Sequence, residues 1–255
     1  MMNDQKYLDT PIEIEDELKD FFCINKPKYI FDIGACDGLD SIKYSKLFPF
    51  AKVYSFEPLE NNATLLLENL LKYNVQNVFL HRLALSNTKG EAEFYVSTGR
   101  PENISQDIEW DFGNKSSSLL EPNKTMDIHP WLKFQEKILV PTETLNNFLI
   151  ENKIELVDFV HMDVQGAELM VLQGAQKYLN KIKMIWLEVE NVELYKNQPL
   201  AMDVETYLKS NGFTKIKDTV NHIAGDQLWV NYSFFPYKKI KRNLYNVLRT
   251  IKLLK

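Results

Sequence analysis

A chain of 255 residues with 45% hydrophobic and 25% charged side chains, and only nine Gly and ten Pro, excludes wholesale disorder and has room for one large α/β domain. The formal net charge of −5 argues against a nucleic-acid partner, whose binders are normally basic. Two cysteines, Cys23 and Cys36, make no disulfide framework, and the acidic N-terminus has no signal-peptide core, so the expected compartment is a reducing cytoplasm.

Residues 1–27 are expected to form a helical extension. The apolar run 28–33, bounded by Pro27 and Gly34, predicts a buried strand that feeds a turn. Leu39, Ile42 and Leu47 recur at helical spacing before Pro49 and predict the helix that follows. The next strand, 52–57, ends in Glu57-Pro58, and a helix over 61–73 carries Leu66, Leu67, Leu70 and Leu71 on one face. A third strand is expected at 78–83. This alternation is the mark of right-handed crossovers that build a parallel sheet.

Residues 91–96 alternate apolar and polar side chains as a peripheral strand with one wet face would. The polar, turn-rich stretch 97–137, with Trp110, Ser116, Ser117, Ser118, His129 and Trp131, reads as an irregular active-site cover. Regular alternation then resumes with a helix at 143–151, a strand at 156–162 ending in Asp163, and a helix carrying Leu169, Leu172 and Leu179. A strand at 183–189 and a helix at 204–210, closed by Asn211-Gly212, lead to strands at 213–217 and 227–232 that pair antiparallel. The expectation is a Rossmann-like, doubly wound α/β domain over 28–235, with a seven-stranded, mostly parallel sheet and an antiparallel final strand.

The tail 236–255 has seven Lys or Arg from Tyr237 onward, no acid, and Ile240, Leu244, Val247, Leu248 and Ile251 at helical spacing. Two readings stay open for it: a helix docked on the body, or one lying on an anionic membrane surface, which would put the protein at the inner face of the membrane.

In open α/β sheets the ligand lies beyond the carboxyl ends of the strands, where the loop DIGACDG, Asp32–Gly38, would sit. A dinucleotide fold would want glycine at the positions of Gly34, Cys36 and Leu39, so that a pyrophosphate can approach the helix. Cys36 and Leu39 obstruct that approach. A nucleoside cofactor without phosphates, such as S-adenosylmethionine, makes no such demand. Glu57 ends the second strand, where an acid accepts hydrogen bonds from ribose hydroxyls; its other reading is a turn acid before Pro58. Asp32 is either a cap at the strand end or an orienter of the loop and of the cofactor's ammonium group. Cys36 is expected to pack as a small apolar residue.

Further segments complete a pattern: SFEPLENN at 55–62, GNKSSSLL at 113–120, DFVHMDVQGAELMVLQGA at 158–175 and IWLEVE at 185–190. Together they resemble the FkbM family of methyltransferases, over about 30–212. The resemblance implies a class I methyltransferase fold, S-adenosylmethionine as donor, and O-methylation of a saccharide, glycoconjugate or polyketide-type hydroxyl. By that resemblance Asp32, Gly34, Ala35 and Gly38 hold the methionine end of the cofactor, Glu57 and Pro58 the ribose, and Ala84 and Leu85 the adenine. His161, Met162 and Gln165 depart from the family's usual Lys-Ile-Asp-Val-Glu-Gly, and Cys36 replaces a frequent Asn.

A hydroxyl acceptor needs a base or a metal. Asp163, at the end of its strand, is the best-placed carboxylate for general-base work, with an N-cap for the helix near Gly166 as its alternative role. His161 shares a strand face with Asp163 and would be a base oriented by that acid, or simply a packed residue. His129 in the long loop is a third catalytic candidate. Glu188 and Glu190, with Asp163, are candidates for an oxygen-ligand divalent metal site. Two competing functions stay open: a nicotinamide-dependent oxidoreductase and a non-catalytic glycan-binding protein.

Overall fold

The computed structural model describes residues 4–102 and 112–238. Helices α1 (Asp4–Asp9) and α2 (Glu15–Phe21) precede β1 (Tyr29–Ile33), α3 (Leu39–Leu47), β2 (Lys52–Phe56), α4 (Glu60–Lys72) and β3 (Val78–His81). Then come β4 (Ala84–Ser86), β5 (Gly90–Gly99), α5 (Thr125–Ile128), β6 (Leu132–Thr144), α6 (Leu145–Glu151), β7 (Val157–Met162) and α7 (Glu168–Gly174). The chain continues through β8 (Ile182–Glu190), α8 (Ala201–Ser210), β9 (Thr214–Asp218) and β10 (Ala224–Val230).

Seven strands form the main sheet in the order β3-β2-β1-β7-β8-β10-β9. Strands β3 to β8 in that row run parallel, and β10 is antiparallel to both β8 and β9. The strand order reverses between β1 and β7, which is where a doubly wound sheet opens a crevice at its carboxyl edge. The central strands are apolar on both faces because helices cover both. Phe31 and Ile33 of β1 pack with α6 and α7 residues such as Phe148, Val171 and Leu172, while Ile30 joins Ile42, Tyr44 and Leu66 on the other face. Leu8, Ile14, Leu18 and Phe22 are buried in that second layer, so the N-terminal helices extend the core beside α3.

The stretch 97–137 is less irregular than its composition suggests. Its ends belong to β5 and β6, an antiparallel pair running from Gly90↔Thr142 to Gly99↔Leu132, which with β4 makes a second, three-stranded sheet. Only one face of this sheet is apolar, where Phe94 and Val140 pack on Leu59 and Ala84. The other face is polar and hides the strand period. Residue Glu143 lies in β6, and α6 starts two residues later because the Thr144 hydroxyl caps it, accepting from Asn147 N–H at 3.1 Å. Trp110 and the tail from residue 239 lie outside the described residues. Among those described, no helix is long and apolar enough to cross a membrane.

Candidate active site

At the end of β1 the chain turns sharply. The N–H groups of Gly34 and Ala35 both donate to the Phe56 carbonyl at 3.0 Å, and Asp163 N–H donates to the Ile33 carbonyl at 3.0 Å. These bonds draw three strand ends together. Gly34 has φ +86°, and a Cβ there would stand 1.8 Å from the Asp163 carbonyl oxygen. Glycine is therefore required by the contact between two loops. Cys36 follows at φ +47°, in the left-handed region that Asn adopts more readily than most side chains. Gly38, at φ +76°, precedes α3, where a Cβ would strike the Leu66 side chain.

Glu57 is buried and anchored by backbone on both sides: Oε2 accepts from Cys36 N–H at 2.9 Å and Oε1 from Leu59 N–H at 2.8 Å. Burial pushes its carboxyl up to about 7 against the pull of those donors and of Asn62. Asn62 Oδ1 in turn accepts from Asn114 Nδ2 at 2.9 Å. The remaining polar atom, Asn114 Oδ1, is buried with no hydrogen-bond partner among the described residues.

Around this chain of groups lies an open cleft of about 530 Å³, counting the solvent space at its mouth. Its lining includes Gly34, Cys36, Glu57, Asn62, Asn114, Lys115, Asp163 and Gln165. The apolar side chains of Pro58, Leu59, Leu83, Ala84, Leu85, Phe94 and Leu119 line it as well. The segment 113–120 reaches the cleft because Tyr95 and Ser118 exchange backbone hydrogen bonds, Ser97 N–H donates to Ser117 Oγ at 2.9 Å, and Ser118 Oγ donates to the Gln165 carbonyl at 2.7 Å.

The loop after β7 is tightly wound. Gln165 and Gly166 both have positive φ, and Glu168 Oε1 accepts from the N–H groups of Val164 and Gly166 at 3.0 and 3.3 Å. Helix α7 starts at Glu168 with Ala167 as its N-cap, so Asp163 is not the cap that the sequence allowed. Its carboxylate lines the cleft, and Oδ1 accepts from Gln165 Nε2 at 2.6 Å. The same amide donates to Glu188 Oε2 at 2.9 Å, and the Tyr195 hydroxyl is shared between Gln165 Oε1 and the Ser116 carbonyl. Gln165 thus joins two acids that would otherwise repel. Burial, with the neighbouring charges of Asp163 and Glu168, holds Glu188 and Glu190 well above the carboxylate range.

The structure places several of the candidate residues away from the cleft lining. Asp32 is fully buried beneath the loop; its carboxylate accepts from Ser41 Oγ and from His161 Nδ1, the latter at 2.7 Å, and it does not line the cleft. Ala35 and Gly38 are likewise outside the lining. His161 is oriented by Asp32 rather than by Asp163. Burial opposes its charge, but the hydrogen bond and charge of Asp32 outweigh that and push it up to about 9, which leaves it a cation with no vacancy for a proton. His129 is exposed at the end of α5 with its ring 5.9 Å from Trp131, and it too lies outside the lining. Among the described residues no group of three His, Cys, Asp or Glu is placed to hold a metal ion, and the Gln165 amide bridges Asp163 and Glu188 where a cation was considered.

Asn62, Asn114, Lys115, Gln165 and Tyr195 were not singled out for the site. All but Tyr195 sit in motif segments quoted above, so their place was marked but their geometry was not. Tyr195 has no signal in the sequence, since a buried tyrosine after a polar turn reads as core.

A seven-stranded sheet with this strand order, an antiparallel β10, and a cleft walled by the ends of β1, β2 and β7 define a Rossmann-like fold of the class I methyltransferase type. Residues 32–215 match the methyltransferase FkbM domain, and the chain belongs to that family. It is 32% identical over 169 residues to the 2-O-methyltransferase NoeI of Sinorhizobium fredii, a match that covers 66% of this chain and 66% of the relative. Among solved structures it is similar to the precorrin-6y C5,15-methyltransferase of Geobacter metallireducens, with TM-score 0.46, 14% identity, and 90% and 96% of the two chains covered. A SAM-dependent methyltransferase from Aquifex aeolicus gives TM-score 0.41 and 15% identity over 90% of this chain and 98% of the other.

Proposed function

We propose that the chain is an S-adenosylmethionine-dependent O-methyltransferase acting on a hydroxyl of a saccharide or glycoconjugate. The observation that carries the cofactor reading is the cleft itself, which sets a buried acid just past the end of β2 among both polar and apolar lining residues. Family membership and the likeness to a 2-O-methyltransferase support the reaction and the saccharide class.

The residues fit that cofactor. Glu57 would accept hydrogen bonds from the ribose hydroxyls. Asn114 Oδ1, buried and without a partner among the described residues, would supply a further acceptor in the same cleft. Pro58, Leu59, Ala84, Leu85 and Phe94 offer an apolar slot for adenine, and the backbone at Gly34 and Cys36 flanks the methionine end. The cofactor supplies an electrophilic methyl group on a sulfonium centre, so much of the acceleration comes from aligning the acceptor oxygen with it. Asp163 takes the hydroxyl proton as the oxygen attacks. Gln165 fixes its carboxylate by donating to Oδ1, leaving Oδ2 for the acceptor.

Titration of the purified chain with S-adenosylmethionine and S-adenosylhomocysteine tests the cofactor, with Gly34→Arg and Glu57→Ala as comparison. Saturable binding that both changes weaken supports the reading, and a folded wild type that binds neither overturns it. For the base, Asp163→Asn should keep cofactor affinity and lose about 10²- to 10⁴-fold in kcat. Retained turnover in Asp163→Asn, with activity abolished in His129→Ala, would transfer the role to His129.

A further inference from the structure

The end of the sheet opposite the cleft is basic. Strands β1, β7 and β8 run parallel, so Lys28, Leu156 and Lys183 at their starts share one edge while Gly34 and Asp163 stand at the other. Five or six extended residues separate the two ends, roughly 15–20 Å. Two open hollows meet on this edge at Glu155 and Leu156, and Lys26, Lys28, Lys153, Lys177, Lys181 and Lys183 rim them.

The acids there do little to offset the lysines. Asp158 is occupied by Lys183 Nζ at 2.6 Å and by the N–H groups of Lys28 and Tyr29 at 2.7 and 3.0 Å, and Glu155 is the other carboxylate of the rim. Five of the lysines are exposed, all but Lys183. Such a concentration of cations is unexpected in a chain of formal net charge −5. Apolar side chains stand among them. Ile24 is 79% exposed on the same rim, and Phe234 lines one hollow.

We propose that this lysine floor docks the protein on an anionic lipid surface. Each lysine near such a surface is worth about 1 kcal/mol, roughly fivefold in partitioning, and the aliphatic stems together with Ile24 can enter the headgroup boundary. A polynucleotide would use the cations but leave Ile24 in water. Docked in this way, the protein turns the cleft toward the aqueous side, because floor and cleft lie at opposite ends of the same strands. The inference stands on charge and exposure alone, so it survives or fails separately from the cofactor reading.

Co-sedimentation of the full chain with phosphatidylcholine vesicles, with and without phosphatidylglycerol, tests it. The wild type should bind only the anionic vesicles, less at high salt. The combined change Lys26→Glu, Lys28→Glu, Lys177→Glu and Lys181→Glu should weaken binding at least about tenfold. S-adenosylhomocysteine titration and urea unfolding check that the variant is folded, and the corresponding four Lys→Gln changes replace it if it is not. The proposal is overturned if the wild type ignores anionic vesicles, if the variants bind as well as the wild type, or if single-stranded RNA binds the floor more tightly than the vesicles do.

Discussion

Glu57 shows how one side chain can be both buried and useful. Two backbone N–H groups, from Cys36 and Leu59, hold its oxygens, yet burial still raises its carboxyl to about 7. An ionised carboxylate accepts more hydrogen bonds from a ribose diol than the protonated acid does. Cofactor affinity should therefore tighten as pH rises through about 7, and Glu57→Gln should bind S-adenosylhomocysteine about tenfold or more weakly without that pH dependence. Calorimetric titration on either side of neutrality checks both, and an unchanged pH profile in Glu57→Gln would remove Glu57 from the cofactor's contacts. Asp32 teaches the opposite lesson. An acid two residues before Gly34 looks like a ligand contact in the sequence, but its oxygens are spent on Ser41 and His161 below the loop.

At the scale of elements, the site exists because three strand ends are tied to one another before any ligand arrives. Gly34 is the point of closest approach, where the loop after β1 crosses the carbonyl of Asp163. Gly34→Ala adds both a Cβ clash at 1.8 Å and a side chain at φ +86°, two costs that sum to about 3 kcal/mol or more. Urea unfolding should show that loss, together with weaker cofactor binding, since Asp163 and Cys36 move when the loops part. Stability equal to the wild type would mean that the loop contact is slack. The second sheet contributes the remaining wall. Its β5 and β6 pairing carries the 113–120 segment to the cleft, which explains why a stretch of Ser, Asn and Lys closes over apolar residues such as Leu59 and Phe94.

For the whole molecule, the buried charges combine into one pH profile. His161 holds its proton to about 9 in the folded chain and to about 6.5 unfolded, so its stabilisation is complete below 6.5 and is lost as pH rises through 9. Glu188 and Glu190 are also raised, above 4.5, and burying their protonated forms becomes costlier as pH climbs. Glu205 runs the other way: the hydrogen bonds of Lys209 and Lys215 overcome its burial and lower it to about 2, so its contribution is present above 4.5 and lost as pH falls toward 2. Glu205 adds stability up to 4.5 and the raised acids lose it from 4.5 upward, so stability should peak near 4.5 and decline on both sides. Glu188→Gln keeps an acceptor for the Gln165 amide and should lift the alkaline limb by at least about 1 kcal/mol. Urea midpoints across the pH range measure this, and a limb that stays put in Glu188→Gln would contradict the protonated reading of that residue.

The alternation of apolar runs with helical spacings determined the main sheet, its parallel core and its antiparallel close, because those periods report which faces must leave water. The motif around Gly34 and Glu57 marked the edge where the cleft lies, since tight turns and strand-end acids have few other uses. What only tertiary structure decided was direction and partnership. Asp32 and His161 face the buried side, Gln165 joins Asp163 to Glu188, and Asn62 reaches Asn114 across 52 residues. A linear sequence specifies side-chain chemistry and local period; which polar groups meet depends on contacts between residues far apart in the chain, and those form only when the sheet is assembled.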